Sequence, residues 1–291
     1  MREKLSGDTN WNLEAQELLP LSRQTATKTI EAGSEQIQDR DVHSPTRNNA
    51  EFIKKNNIKI FQESVEIEED KFYINIFTRS GPNTQKYLVI HDSEDAAFDT
   101  GLRAIKNGGA LIALENRNGR NLYSFGANKG DTGQDPNRIF DKDSHYYPLA
   151  RKILELLGES SGEMVIALHN NKQDGNFSLD DLEKQENIST LSKEDPDPKS
   201  MILIPGSTSE PDQRTHSEVR YYRDQGLNVV YEYVPEDEPG DGSLSHYATR
   251  KGLLYRNLEA PAPVRGDQKS EARSLEKQTR YLEVIRKYYS L

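Results

Sequence analysis

Residues 87–94, YLVIHDSE, give the clearest indication of the architecture of this chain. The first four of these residues are apolar without interruption, which is typical of a strand buried on both faces of a sheet. His91 follows this run directly, and Glu94 lies three residues further along. Residues 94–107 carry a helical pattern that ends at the glycine pair 108–109. A buried strand that leads straight into a helix predicts an α/β fold.

The same alternation continues outward on both sides of this stretch. Upstream, the segments 58–61 and 72–77 alternate apolar and polar residues as half-buried strands do. Residues 183–200 are polar and contain two Asp-Pro pairs, which indicates a loop or insertion. Downstream, apolar runs alternate with helical patterns; the runs span 110–114, 164–168, 201–205, 228–233 and 253–258, and the helices span 147–157, 216–225 and 268–289. We therefore predict a single α/β domain over residues 51–291, with a mostly parallel or mixed central sheet flanked by helices.

Residues 1–50 differ from the rest of the chain in composition. They are rich in Gln, Thr, Ser, Asn and charged residues, and no hydrophobic period is sustained along them. Such a segment buries too little apolar surface to offset the entropy that ordering costs. We predict a polar N-terminal tail over residues 1–50, disordered or loosely attached to the domain.

Charge and composition limit the classes of partner. The net charge of −10 argues against nucleic acid, because phosphate binding needs a basic face. No apolar run approaches the length of a membrane span. The N-terminus lacks the apolar segment of a signal peptide. The protein could therefore be cytoplasmic, or it could be exported and have lost its leader. We favour export. The chain has no cysteine and six histidines, so any metal must be held by His, Asp and Glu. Nothing in the sequence indicates an oligomeric state.

Two other apolar runs also end in residues that can bind a metal or move a proton. His169 follows the run at 164–168, and Glu259 follows the run at 253–258. Ligands of open α/β sheets sit beyond the carboxyl ends of the strands. We therefore expect these two residues to meet the first His-x-x-Glu at one edge of the sheet. Alone, that spacing arises readily by chance, so the joint arrangement supports the prediction.

These residue types fit a zinc hydrolase. Catalytic zinc commonly takes two His and one Glu from the protein and keeps a fourth position open for water. His91, Glu94 and His169 supply that set for one Zn²⁺ ion. Bound zinc polarises a carbonyl and acidifies water, and a carboxylate outside the ligand set must accept the proton of that water. Glu259 is the candidate for this role.

A second cluster suggests how a substrate is held. Asn137 and Arg138 lie together in a loop rich in turn formers, and a guanidinium beside an amide suits recognition of a carboxylate. Arg120 lies upstream and could bring positive charge to a developing oxyanion. Taken singly, each arginine is better explained as a solvated loop cation, so the cluster gains its meaning from the zinc ligands around it.

Together these residues resemble the zinc carboxypeptidase superfamily, meaning M14-type metallocarboxypeptidases and the succinylglutamate desuccinylase/aspartoacylase group. The resemblance covers roughly residues 85–262. It implies one zinc ion bound by His91, Glu94 and His169, catalysis by Glu259 and Arg120, and substrate binding by Asn137, Arg138 and Leu244. The spacing from the first ligands to His169 is shorter than in the digestive enzymes, which implies reduced or rearranged loops around the cleft.

The leading hypothesis is a zinc-dependent hydrolase that cleaves an amide (peptide) bond next to a free carboxylate, such as a carboxypeptidase acting on cell-wall or other peptides. One alternative is an N-acyl amino acid deacylase similar to the desuccinylases. Another is a catalytically silent binding module, against which Glu259 argues because a metal-binding scaffold needs no carboxylate beside the open coordination position. The predicted partner is accordingly a peptide or an acylated amino acid.

Overall fold

The computed structural model describes residues 28–30, 39–44, 47–116, 119–123, 133–158, 163–172, 174–264 and 266–291. Within these residues the chain forms ten strands and seven α-helices. In chain order they are β1 (Lys28–Ile30), α1 (Asn49–Lys55), β2 (Lys59–Ile67), β3 (Asp70–Arg79), β4 (Lys86–Val89), α2 (Asp95–Ala104), β5 (Gly109–Glu115), α3 (Tyr147–Leu157), β6 (Val165–Asn171), α4 (Leu179–Leu182), β7 (Ile188–Lys193), β8 (Met201–Gly206), α5 (Gln213–Asp224), β9 (Asn228–Tyr233), α6 (Leu244–Arg250), β10 (Tyr255–Pro261) and α7 (Gln268–Tyr289).

The strands of the described residues form one mixed sheet in the order β1-β2-β3-β5-β4-β6-β10-β8-β9-β7. Its centre, β5-β4-β6-β10, is parallel throughout. On one side β1, β2, β3 and β5 pair antiparallel to one another. On the other side β8 is antiparallel to β10 and parallel to β9, and β7 closes the edge antiparallel to β9. The prediction of an α/β domain with a mixed central sheet flanked by helices is confirmed.

The sheet is buried on both faces, as the unbroken apolar runs of its central strands predict. In β4, Tyr87 and Val89 face one core, which is covered by α2, α5 and α7. Leu88 belongs to the second core, which is covered by α3 and α6. Because successive side chains of a strand point to opposite faces, one short run fills both cores.

Local signals in the sequence explain where several helices begin and end. α3 has Pro148 in its first turn, where the missing N–H costs nothing, and ends at Gly158 with φ of 74°. The Asp212 carboxylate accepts a hydrogen bond from the Thr215 N–H at the start of α5. The Asp267 carboxylate likewise caps α7. The helical predictions at 147–157, 216–225 and 268–289 therefore end within a few residues of the observed boundaries.

Part of the predicted N-terminal tail belongs to the fold. β1 pairs with β2, and Val42 is buried in the core on the α2 side. Arg47 donates to the Asp41 carboxylate at 2.5 Å and also binds the Asp99 carboxylate of α2, so this segment is fastened to the domain by charge. Residues 39–44 and 47–50 thus contact the rest of the fold through Val42 and paired polar groups, and the domain boundary at residue 51 stays a prediction. The rest of residues 1–50 lies outside the described residues.

The predicted loop at 183–200 contains a strand instead. β7 forms the edge of the sheet next to β9, and Ser192 Oγ donates to the Leu227 carbonyl at 2.8 Å. Its sequence is polar because an edge strand meets water along one side and on one face. No helix of the described residues is long and apolar enough to cross a membrane.

Candidate metal centre and active site

The parallel centre of the sheet brings the predicted site residues to one edge. β6 and β10 are paired so that His169 lies directly beside Glu259. β4 pairs with β6 on its other side, and His91 follows two residues after the end of β4. Glu94 precedes the first residue of α2, the helix that leaves this strand. All four side chains are buried, so they are surrounded mainly by protein and not by water.

Three of these side chains converge on one point. His91 Nδ1 lies 3.2 Å from His169 Nδ1 and 2.9 Å from Glu94 Oε1. His169 Nδ1 lies 3.2 Å from Glu94 Oε2. Ligand atoms of tetrahedral zinc, at bonds of about 2.0–2.1 Å, stand about 3.3 Å apart, so the three spacings are close to those of a zinc ligand set. Among the described residues, this is the group of three side chains placed to hold a metal ion.

The charges of this group also favour a cation. Burial alone would lower the pKa of His91, but the Glu94 and Asp135 carboxylates outweigh it and raise that pKa to about 9. Burial would raise the pKa of Glu94, but His91 and His169 hold it well below its usual range. Lone pairs of the two imidazole nitrogens and of the Glu94 carboxylate can converge on one point when either a proton or a metal cation lies between them. A divalent cation with nitrogen and oxygen ligands fits this position.

Asp135 is a residue of the site that the sequence analysis missed. Its Oδ1 lies 2.8 Å from His91 Nε2, the ring nitrogen that points away from the other two ligands. A carboxylate behind a metal-binding histidine fixes the tautomer and the orientation of the ring. Asp135 also accepts a hydrogen bond from the Asn137 N–H at 2.7 Å. In the sequence, only its position two residues before the predicted Asn-Arg pair could have indicated that Asp135 belongs to the site.

Arg120 lies against the metal-binding group. Its Nη1 donates to Glu94 Oε1 at 2.8 Å, and its Nη2 lies 3.3 Å from Asp135 Oδ2. About two fifths of the Arg120 side chain is exposed (38%), so the guanidinium spans the boundary between the buried ligands and the cleft. This position leaves it able to donate to an oxygen atom that approaches the metal-binding group.

Glu259 is the fourth carboxyl group at this edge. Asn257 Nδ2 donates to Glu259 Oε1 at 3.1 Å, and Oε2 has no hydrogen-bond partner among the described residues. Burial raises the pKa of Glu259 to about 7, against the opposing effect of His169. A buried carboxyl oxygen without a partner is costly, and Oε2 is therefore able to accept a hydrogen bond from another molecule.

The Asn137-Arg138 pair lies in a short turn at the side of the cleft. Asn137 Oδ1 accepts a hydrogen bond from the Leu244 N–H at 3.1 Å, which leaves its NH₂ group as the donor for a substrate. Arg138 Nε lies 3.4 Å from Asp241 Oδ2. The turn and α6 approach closely at Gly242, where a Cβ atom would stand 2.6 Å from the Arg138 carbonyl oxygen.

The structure places the Leu244 side chain elsewhere than the sequence resemblance implies. It is buried in the core under α3 and α6, and its contribution to the site is the backbone N–H that binds Asn137. Ser243 and Ser245, on either side of it, line the cleft. At the start of a helix, neighbouring residues can face the core and the cleft in turn. Sequence order alone therefore does not show which of these three side chains faces the cleft.

A buried amide network supports the ligand strand from behind. Gln278 of α7 donates through Nε2 to the His169 carbonyl at 2.9 Å. Its Oε1 accepts a hydrogen bond from Asn170 Nδ2 at 3.2 Å, and Asn170 Oδ1 accepts one from the Ala97 N–H of α2. One fully buried side chain therefore ties together α7, the strand that carries His169 and the helix that begins after Glu94.

These residues share a cleft of about 450 Å³. We call the part formed by His91, Glu94, His169, Asp135, Arg120 and Glu259 the metal end. The rest of the lining includes the Asn137-Arg138 turn and a region that we call the far end, which is formed by Phe177, Leu182, Gln185, Ile188, Leu203, Glu232, Asp241, Ser243 and Ser245. The cleft thus joins the buried charged group to a larger surface that mixes apolar and polar side chains.

Comparison with known proteins gives a likeness of fold. No family model matches the chain, and no curated protein sequence matches it. Among solved structures, it is similar to succinylglutamate desuccinylase/aspartoacylase from Rhodobacter sphaeroides (12% identity, TM-score 0.45, 79% of this chain and 65% of that one). It is also similar to succinylglutamate desuccinylase from Chromobacterium violaceum (13% identity, TM-score 0.40, 73% of this chain and 66% of that one). A third similar structure is thrombin activatable fibrinolysis inhibitor (11% identity, TM-score 0.45, 82% of this chain and 70% of that one).

The chain spans slightly less than two thirds of the length of the two desuccinylase structures.

Proposed function

We propose that this chain is a zinc-dependent hydrolase that cleaves an amide bond next to a free carboxylate. The observation that carries the proposal is the meeting of three side chains, His91, Glu94 and His169, whose facing nitrogen and oxygen atoms lie 2.9–3.2 Å apart, beside a separate carboxyl group, Glu259. A site that only stored a metal would gain nothing from that additional buried carboxyl group. The donor set of two imidazoles and one carboxylate is the one that catalytic zinc commonly uses.

Each residue at the metal end then has a role. His91, Glu94 and His169 would hold the ion, and Asp135 would fix the His91 ring. When bound, zinc supplies Lewis-acid polarisation of a carbonyl and acidifies a water molecule. Glu259 Oε2, which has no partner among the described residues, accepts the proton of the attacking water and delivers it to the leaving nitrogen.

The residues beside the metal end would orient the substrate. Arg138 and the NH₂ group of Asn137 are suited to a carboxylate, because guanidinium and amide donors pair with its two oxygens. Arg120 stands next to Glu94 and would donate to the oxygen of the scissile carbonyl as negative charge develops on it. Both groups of donors line the same cleft, so one substrate could contact both through its carboxylate and its scissile carbonyl.

The test is hydrolysis by zinc-loaded protein of short peptides and N-acyl amino acids, each with a free or an amidated C-terminus. We expect cleavage of the free carboxylates, loss of cleavage on amidation, and loss of cleavage after chelation of the metal. Mass spectrometry of the products separates release of a C-terminal residue from release of a small acyl group. Equal cleavage of amidated substrates, or cleavage that survives removal of the metal, would contradict the proposal.

A further inference from the structure

Two of the three metal-binding side chains lie on a short connection that belongs to neither a strand nor a helix. β4 ends at Val89 and α2 begins at Asp95, so His91 and Glu94 stand between the two elements. A segment outside the ladder of a sheet and the turns of a helix opens more easily than the elements beside it. A metal centre needs its ligands held to within about 0.5 Å. The placement of these two ligands therefore depends on contacts from elsewhere in the fold.

An N-terminal segment contacts this connection, and we call its described residues from Asp39 to Asn49 the strap. At its first residue, Asp39 Oδ2 accepts a hydrogen bond from Asn75 Nδ2 of β3 at 2.9 Å. At its last residue, Asn49 Nδ2 donates to Asp99 Oδ1 of α2 at 2.7 Å. Both of these strap residues are buried. The strap is thus fixed at its two ends, once to the sheet and once to the helix that follows the ligands.

Two arginines of the strap hold the backbone of the ligand connection. Arg40 Nη2 donates to the Asp92 carbonyl at 2.6 Å, and Asp92 directly follows the first ligand. Arg47 Nη2 donates to the Asp95 carbonyl at 2.7 Å, and Asp95 directly follows the second ligand. The strap therefore holds the residue next to each of the two ligands, and loss of either contact frees the backbone one residue away from a ligand.

Arg47 reaches the connection from a buried ionic cluster. Its Nη1 lies 2.5 Å from Asp41 Oδ1, and its guanidinium also binds the Asp99 carboxylate. These three side chains are only 6–10% exposed, so their charges attract strongly and water competes little. The planar guanidinium presents several donors in a fixed fork, so it can bind these carboxylates and the Asp95 carbonyl at once. The cluster thus fixes the donor that holds the backbone after Glu94.

We propose that the strap sets how tightly the site holds its metal, with Arg40 and Arg47 as positioning residues for His91 and Glu94. Neither arginine belongs to the group of metal-binding side chains, and each acts on a ligand through the backbone beside it. Loss of either contact leaves all the ligands present and lets the connection that carries two of them move. The inference rests on the proposed function for the identity of the ligands.

The test is a titration of the full chain with zinc against a competing chelator, which requires no hydrolysis. Arg47→Ala should lower zinc affinity by about 10–100-fold, the loss that follows removal of an outer partner of a metal ligand. Arg40→Ala removes one hydrogen bond and should lower zinc affinity by about five- to tenfold. The Arg40 side chain is 56% exposed, so this variant leaves the buried cluster intact and decides the inference should Arg47→Ala fail to fold.

Arg103→Ala is the matched control. Arg103 Nη1 donates to the Asp99 carbonyl at 2.9 Å, and its guanidinium lies over the Phe52 ring of α1. The variant therefore removes an arginine that binds the same residue of α2 as Arg47 does. Arg103 lies eight residues beyond Asp95, about 12 Å further along the helix from the ligand connection. It should leave zinc affinity within about twofold of the unmodified protein.

The absorption spectrum of bound Co²⁺ gives a readout that a loss of stability alone would not change. Co²⁺ in place of zinc absorbs visible light with an energy and intensity that depend on the arrangement of its ligands. A displaced His91 or Glu94 should therefore alter the spectrum of folded Arg40→Ala protein. The Arg103→Ala protein should give the spectrum of the unmodified chain.

The outcomes separate this inference from the proposed function. Unchanged zinc affinity in both strap variants, or an equal loss in Arg103→Ala, would overturn the inference and leave the proposed function standing. Zinc affinity that depends on Arg40 and Arg47, in a protein that hydrolyses no amide, would support the inference and contradict the proposed function. A chain that binds no zinc at these ligands would contradict both.

Discussion

The two ends of the cleft differ in how the fold delivers their residues. At the metal end, His91, Glu94, His169 and Glu259 lie at or just after the carboxyl-terminal parts of parallel neighbouring strands and are buried, and Asp135 and Arg120 join them from the connections between elements. At the far end, Glu232 comes from a strand that runs opposite to β10, while Ser243 and Ser245 come from the start of α6. In the proposed function, the reacting groups therefore lie on the centre of the sheet, and the elements beside it form the rest of the cleft.

The largest effect should follow removal of a metal ligand. Outer partners of bound metals cost about 10–100-fold in affinity when they are lost, and a direct ligand should cost more. His169→Ala should therefore abolish stoichiometric zinc binding and reduce hydrolysis to background. Metal content after dialysis measures the first, and His216→Ala, at an exposed position on α5, is the control that should retain zinc. Full zinc occupancy in His169→Ala would place the metal elsewhere.

Glu259→Gln should separate the holding of the metal from the chemistry. The variant keeps the volume of the side chain and removes the proton acceptor, so kcat should fall by about 10²–10⁴-fold. Zinc affinity should change little, because Glu259 lies outside the ligand group. Steady-state kinetics and zinc titration are measured on the same preparation. A variant with unchanged kcat would remove Glu259 from the mechanism.

Asp135→Asn should weaken zinc binding at the metal end without removing a residue that binds the ion directly. The amide no longer attracts the His91 N–H as a carboxylate does, so zinc affinity should fall by about 10–100-fold. Competition with a chelator measures this change. If zinc affinity stays the same, the contact between Asp135 and His91 does not prepare the ring for the metal.

Gln278→Leu should show how far the metal end depends on its support from α7. It leaves the His169 carbonyl and the Asn170 amide without a buried partner, which costs about 1–3 kcal/mol of unfolding free energy. Zinc affinity should fall by about tenfold. Tyr281→Phe is the control on the same helix, since its hydroxyl binds Asp195 rather than the ligand strand. Equal zinc affinities in the two variants would limit Gln278 to a role in stability.

The smallest effect is expected at the far end. Ser245→Ala removes a hydroxyl that lies 3.0 Å from Ser243 Oγ at a partly exposed position. The free energy of unfolding should change by less than about 0.5 kcal/mol, and zinc affinity should stay the same. Denaturant unfolding and zinc titration check both. A loss of zinc affinity here would mean that the two ends are coupled.

The difference between the two ends of the cleft also explains which site residues the sequence could predict. Residues that directly follow apolar runs, such as His91 and His169, are visible because the run shows where a central strand approaches its carboxyl end. Asp135 is brought to His91 by a loop 44 residues further along the chain, and Gln278 reaches His169 from a distance of 109 residues. Contacts of that kind depend on how elements pack and leave no periodic signal.

The residues of the far end could not be predicted from the sequence for a different reason. The direction of β8 and β9 relative to β10 decides that Glu232 enters the cleft, and apolar runs do not reveal strand direction. β7, which contributes Ile188, has the polar composition of a loop because it lies at the sheet edge. The α/β fold and its central strands followed from periodicity, whereas the edge strand and the attached N-terminal segment depended on polar pairing.

One zinc ion should bind between His91, Glu94 and His169. The most direct measurement is anomalous diffraction at the zinc absorption edge from crystals of zinc-loaded protein. We predict a single strong peak per chain, within bonding distance of both Nδ1 atoms and of the Glu94 carboxylate. A peak at another group of side chains, or crystals that take up no zinc at these residues, would contradict this account.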